Sequence, residues 1–199
     1  MLSNLALAQL ALESYERATH ECGNSAAFVT HRPDCIVIAF RGTNDPIDIL
    51  ADLWAIPWKP NEVGAWVHRG FWLYLKPLVE PLMQEIRNSR LPVELVGHSL
   101  GGAAACIFAA ICLRHELMVQ GLTTFGAPRP GYDSLANIIH QIPGRRFVVE
   151  GDQVTDVPPS WFAFPYVHHK IESELPGKDG FIDHPMQGYV EALLAQSSA

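Results

Sequence analysis

The sequence predicts an α/β protein: a mostly parallel central sheet with helices on both faces. Three observations lead there. Short β-rich runs alternate with helix-length segments through the second half of the chain, at "VELVGH", "GLTTF" and "RRFVVE". Two earlier β-rich runs, "AAFVT" and "CIVIAF", are joined by His31-Arg32-Pro33-Asp34 and read as an N-terminal antiparallel hairpin. Between Val93 and Ala110 a strand turns at once into a small-residue helix, with Ser99 framed by Gly97 and Gly101 at the turn.

The elements follow in order. Leu2, Leu5, Ala6, Gln9, Leu12 and Glu13 suggest a first amphipathic helix. The hairpin comes next and ends in "FRGTNDP". Asp45 then suits an N-cap, Pro46 the first helical position and Pro57 the end of a short apolar helix. A helical stretch over 67–90 should kink or break at Pro77 and Pro81, because proline lacks the N–H that the helix needs. After the serine turn and its helix come a buried strand over 121–125, a helix over 133–140 and a strand over 145–150. "GDQVTDVPPSWFAFP" is rich in turn residues, "YVHHKIE" reads as a late strand, and a last helix runs over 184–196. No repeat, linker or low-complexity tract interrupts the series, so residues 1–199 are expected to form one domain.

Composition narrows the partners. At 199 residues with 48% hydrophobic and 18% charged content, the chain can bury a full core. A formal net charge of −7 argues against nucleic acid. No apolar run is long enough for a transmembrane segment. The N-terminus has no basic n-region, and Gln9 and Glu13 interrupt its apolar run, so no export signal is read there and a cytoplasmic chain is expected. Cys22, Cys35, Cys106 and Cys112 lack zinc-type spacing and read as reduced thiols. Neither a metal nor a cofactor is implied. The oligomeric state is not legible.

Ser99 has the frame of a nucleophile elbow. The turn lifts its oxygen clear of the sheet onto a helix N-terminus, where free N–H groups favour negative charge. A serine hydroxyl needs a base, normally a histidine oriented by a carboxylate. Asp152 follows "RRFVVE" directly and would face the site from a strand end. Asp156 is the competing carboxylate. His184 ends the loop "PGKDGFIDH" and could be carried to the elbow, whereas His168 and His169 read as packed strand residues and His98 as a hydrogen-bonded core histidine. Oxyanion donors would be the Leu100 N–H, next to the serine, and Thr43 at the strand exit "FRGT", with its N–H and hydroxyl.

Seven segments occur together and in order: "IAFRGT", "ILADL", "VHRGF", "VGHSLGGA", "TFGAPRPG", "GDQVTDVPP" and "DHP". Together they resemble the class 3, fungal-type lipases over roughly residues 36 to 190. The resemblance implies an α/β-hydrolase fold and a lipase or esterase activity through a catalytic triad. Its nucleophile falls on Ser99, its aspartate on Asp152, its histidine on His184 and its oxyanion residue on Thr43. It also implies a lid at residues 45–57, with Ile47, Ile49, Leu50, Leu53 and Trp54 facing an acyl pocket. Thr155 departs from the family's usual proline. Partners would be a lipid or small acyl ester, met in some cases at a lipid–water interface. A phospholipase A1 or feruloyl-type esterase is the alternative among enzymes, and a non-catalytic scaffold is the alternative outside them.

Overall fold

A computed structural model describes residues 2–43, 56–161, 163–170, 172–177 and 184–197. Helix α1 (Asn4–Glu13) is capped by the Ser3 hydroxyl, which accepts the Ala6 N–H. Its buried residues are Leu7, Ala8 and Ala11, while Leu5 and Leu12 are only partly covered. The two alanines set the contact face, since they let the helix lie close.

The chain then forms an antiparallel meander, β1 (His20–Cys22), β2 (Ser25–His31) and β3 (Ile36–Phe40). Strand β1 is a short, largely exposed edge that carries no apolar alternation, and the sequence did not announce it. From β3 onward the sheet is parallel, through β6 (Val93–His98), β7 (Val119–Phe125), β8 (Arg146–Val149) and β9 (Glu172–Leu175). The order in this seven-stranded sheet is β1-β2-β3-β6-β7-β8-β9. A separate ribbon pairs β4 (Pro57–Trp58) with β5 (Val67–His68). Strands β3 and β6 are buried at every position, as parallel strands covered on both faces must be.

Helices α2 (Arg69–Ser89), α3 (Leu100–Arg114) and α4 (Asp133–Ile139) cover one face, with Leu75, Phe108 and Leu135 in the same core as Ile38 and Leu95. Helices α1 and α5 (Met186–Ser197) cover the other, where Leu7, Tyr189 and Leu193 meet Val37, Val96 and Phe125. Neighbours Leu95 and Val96 thus serve opposite cores, which is the period of two of a strand.

Two expectations are corrected here. Helix α2 is continuous through Pro77 and Pro81 and begins at Arg69, because Val67 and His68 are in a strand. The two prolines and Leu73 lie four apart on the exposed side. The carbonyls that lose their partners there can be solvated, so the helix survives. The last strand comes later than "YVHHKIE": it is Glu172–Leu175, parallel to β8, while Val167 makes only an isolated bridge to Gly131. The aromatic and histidine content before it serves side-chain packing and hydrogen bonds rather than a ladder.

Candidate active site

The carboxyl ends of β3, β6, β7 and β8 converge, and the connections leaving them carry the candidate residues, as in open α/β sheets generally. Ser99 follows β6 with φ 54° and ψ −131°, a conformation that few non-glycine residues adopt. Close approach accounts for the flanking glycines. A Cβ on Gly97 would stand 2.3 Å from the Gly101 carbonyl oxygen, and one on Gly101 2.2 Å from that of Phe40. The turn is therefore pressed against the next helix turn and against β3. The Ser99 N–H bonds the Phe125 carbonyl at 2.9 Å, which ties the elbow to the end of β7. Leu100 is the first residue of α3, so its N–H belongs to the first turn of that helix.

Past β8, Gly151 turns the chain with φ 89° and Asp152 caps a short 3-10 helix (Gln153–Asp156) through Val154 N–H to Oδ1, 3.0 Å. His184 lies outside any strand or helix, just before α5. Its Nδ1 is 2.9 Å from Asp152 Oδ2 and 3.0 Å from Oδ1. Both residues are buried, 3% and 2% exposed, so the contact is not weakened by water. A carboxylate only accepts, so Nδ1 carries the proton and Nε2 is left as the basic nitrogen. That Nε2 and the Ser99 oxygen are both buried and, among the described residues, have no hydrogen-bond partner. The Thr43 hydroxyl, at the exit of β3, is likewise buried and unpartnered.

Asp152 has one more donor, which the sequence did not point to. The Tyr189 hydroxyl, on the first turns of α5, donates to Oδ2 at 2.5 Å, and the Val149 N–H reaches the same hydroxyl at 3.2 Å. Burial, and then the negative charge of Asp152, push the phenol well above its ordinary pKa, so it stays a donor. In the sequence Tyr189 is one apolar residue among others on the last helix. Only its spacing from His184 hints at more.

The other candidates sort themselves. Asp156 is exposed and pairs with Arg129, 3.1 Å away. His168 Nε2–H donates to the Thr155 carbonyl, 2.9 Å, and His169 sits against the Cys106 thiol at 3.4 Å, so each is engaged elsewhere. Thr155 supplies a hydroxyl to the Asp152 carbonyl at 2.8 Å, a contact that proline could not make. His98 is a fully partnered core histidine, bonded to Tyr15 and to the His184 carbonyl. The expected lid, with Ile47, Ile49, Leu50, Leu53 and Trp54, lies outside the described residues. All four cysteines are free. Among the described residues no helix is long and apolar enough to cross a membrane.

A family model described as Lipase (class 3) matches residues 37–162. The chain is 33% identical to "Secreted mono- and diacylglycerol lipase 2" of Gibberella zeae, over 60% of this chain and 35% of that one. It is 34% identical to "Lipase" of Rhizomucor miehei, over 65% of this chain and 39% of that one. It is 27% identical to the solved structure "A serine protease triad forms the catalytic centre of a triacylglycerol lipase". That match has a TM-score of 0.68 and covers 86% of this chain and 78% of that one. The chain thus spans little more than a third of the two curated relatives. The expectation of a cytoplasmic chain is overturned by the Gibberella relative, which is named as secreted and points outside the cell. The N-terminal residues behind that expectation form α1, a packed helix of the fold, so their lack of a basic n-region carries no address.

Proposed function

The chain belongs to the class 3 lipase family, and on that premise we propose that it hydrolyses acylglycerol or similar acyl esters through an acyl-enzyme. The observation that carries this reading is the buried contact of His184 Nδ1 with Asp152, with the His184 Nε2, the Ser99 hydroxyl and the Thr43 hydroxyl all buried and without a hydrogen-bond partner among the described residues. Ser99 is the nucleophile, His184 the general base and then acid, and Asp152 the group that fixes the tautomer and stabilises the imidazolium. The Ser99–His184 hydrogen bond closes with the ester in place, as such contacts commonly do.

The steps balance with these groups alone. Ser99 Oγ attacks the ester carbonyl while its proton passes to His184 Nε2. The tetrahedral oxyanion is met by the Leu100 N–H and by Thr43, whose unpartnered buried hydroxyl is in want of such an acceptor. The intermediate collapses, the alcohol leaves with the proton from His184, and water then repeats the cycle on the acyl-Ser99 ester. A substrate of lipid class is supported by the names of the relatives, mono- and diacylglycerol lipases among them.

The test is turnover of p-nitrophenyl and acylglycerol esters, with mass-spectrometric mapping of a serine-directed phosphonate. Labelling at Ser99, and loss of both labelling and turnover in Ser99→Ala, are expected. A label on any other serine, or turnover surviving in Ser99→Ala, overturns the assignment. Absence of turnover with every ester tested, in a chain that folds, leaves the non-catalytic scaffold as the better reading.

A further inference from the structure

His184 is held from two sides. Its ring is oriented by Asp152, but its position depends on a main chain that belongs to no strand or helix. The residue bonded to that main chain is His98, the neighbour of Ser99. His98 Nε2 lies 2.7 Å from the His184 carbonyl oxygen, and the two rings sit 4.7 Å apart, tilted by 31°. On its other side His98 Nδ1 lies 2.5 Å from the hydroxyl of Tyr15, just past the end of α1.

The chemistry of this chain fixes every proton in it. A carbonyl can only accept, so His98 Nε2 carries a hydrogen. Burial, and then the nearby His184, hold His98 well below its ordinary pKa, so the ring is neutral and Nδ1 is bare. Burial also raises the Tyr15 phenol, which therefore remains protonated and donates to Nδ1. The Tyr15 donor selects the tautomer that His98 needs in order to hold His184. With no donor at Nδ1, the hydrogen could move there and turn a lone pair toward the His184 carbonyl.

Tyr15 also touches the other half of the site. A Cβ on Gly42 would stand 2.3 Å from the Tyr15 oxygen, 2.8 Å from the His98 carbonyl and 3.0 Å from Ser99 Cβ. Gly42 directly precedes Thr43. One hydroxyl therefore rests between the β3 exit and the histidine chain.

We propose that Tyr15 and His98 are positioning residues: a buried hydrogen-bonded arm, Tyr15–His98–His184 carbonyl, that sets the place of the base relative to Ser99 and couples it to the Gly42–Thr43 exit. This rests on the reading of Ser99 and His184 as nucleophile and base. The arm acts through the position of the base, so its effect is expected on the chemical step and not on binding.

The experiment pairs Tyr15→Phe, which keeps the ring and removes the donor, with His98→Gln, which keeps an N–H, and His98→Met, which does not. For Tyr15→Phe the expected result is a fall in kcat on a soluble p-nitrophenyl ester of about tenfold, with KM within about twofold. Phosphonate labelling of Ser99 should slow in parallel. In ¹⁵N NMR the His98 ring should show the Nε2–H tautomer in the parent and a mixture in Tyr15→Phe. His98→Gln should retain more kcat than His98→Met. Parent-like kcat and labelling rate in Tyr15→Phe, an effect confined to KM, or an unaltered His98 tautomer each overturn the arm. Failure of the premise is read separately, as a phosphonate label in the parent at a residue other than Ser99.

Discussion

Two histidines in this molecule share one unusual feature and differ in everything that follows from it. His184 and His169 are both buried, 2% and 6% exposed, and the Nε2 of each has no hydrogen-bond partner. The Nδ1 of His184 faces a carboxylate. The Nδ1 of His169 faces the Cys106 sulfur at 3.4 Å. Burial pushes that thiol well up, so it is neutral, and burial together with His168, Lys170 and Arg146 drives His169 down to about 3. Such a ring cannot accept a proton near neutrality. A free buried nitrogen is thus not a mark of catalysis by itself. What separates a base from a packed ring is a group across it that can carry the countercharge of an imidazolium.

The strongest way to break this comparison is to exchange the consequences. Asp152→Asn should lower kcat about 10⁴-fold, because the amide no longer holds the required tautomer. Asp156→Asn, on the exposed ion pair with Arg129, should leave kcat within about twofold. His169→Gln should likewise spare kcat while His184→Gln removes it. Steady-state kinetics on one soluble ester ranks all four, and a reversed order within either pair would move the centre. Next in size is Thr43→Val, which removes an oxyanion hydroxyl and keeps the N–H. It should cost about 10²-fold in kcat with less change in KM, and an unchanged kcat would exclude that hydroxyl from the oxyanion.

Smaller again is Tyr189→Phe. Asp152 keeps its contacts to His184 and Val154 but loses its phenol donor, so a kcat loss of about tenfold is expected, about 1.4 kcal/mol. The last effect is on stability rather than rate. His98 and His169 are neutral in the fold with pKa values below those of the unfolded chain, so the unfolded state binds more protons as the pH falls. Their contribution is complete above an unfolded pKa of about 6.5 and is lost as the pH falls below it, for His169 toward about 3, by at most roughly 1.4 kcal/mol per pH unit for each ring. Melting temperature measured from pH 7 to pH 5 should therefore fall, and His169→Gln should flatten the slope. A slope identical to the parent's would mean that His169 is charged in the fold.

How much could be read beforehand depended on distance along the chain. The serine turn was legible because strand, glycines and helix are consecutive, and the positive φ follows from that local demand. The hairpin and the mostly parallel character of the sheet were legible for the same reason. The contact of Asp152 with His184, 32 positions away, could be anticipated only through strand-end logic and the family resemblance. Tyr189 and the Tyr15–His98 contact were invisible, since an aromatic on an apolar helix face and a histidine in a buried strand look like core. Of the kink or break expected at Pro77 and Pro81, the break did not occur, because residue-level propensity takes no account of which side of a helix faces water. The late strand failed because two histidines and a lysine resemble a β-run yet find partners by side chain.

The packing of α1 on the same sheet face as α5 sets a schedule as well as a shape. Tyr15 meets His98 across 83 positions, and His98 meets His184 across 86. A ribosome delivers the elbow long before it delivers the base, and contacts this far apart in sequence form late. Between the synthesis of Ser99 and that of His184 the nascent chain therefore carries the serine turn without its proposed base. On the proposed reading, ester hydrolysis would begin only once α5 docks against α1 and brings His184 to the Ser99 turn.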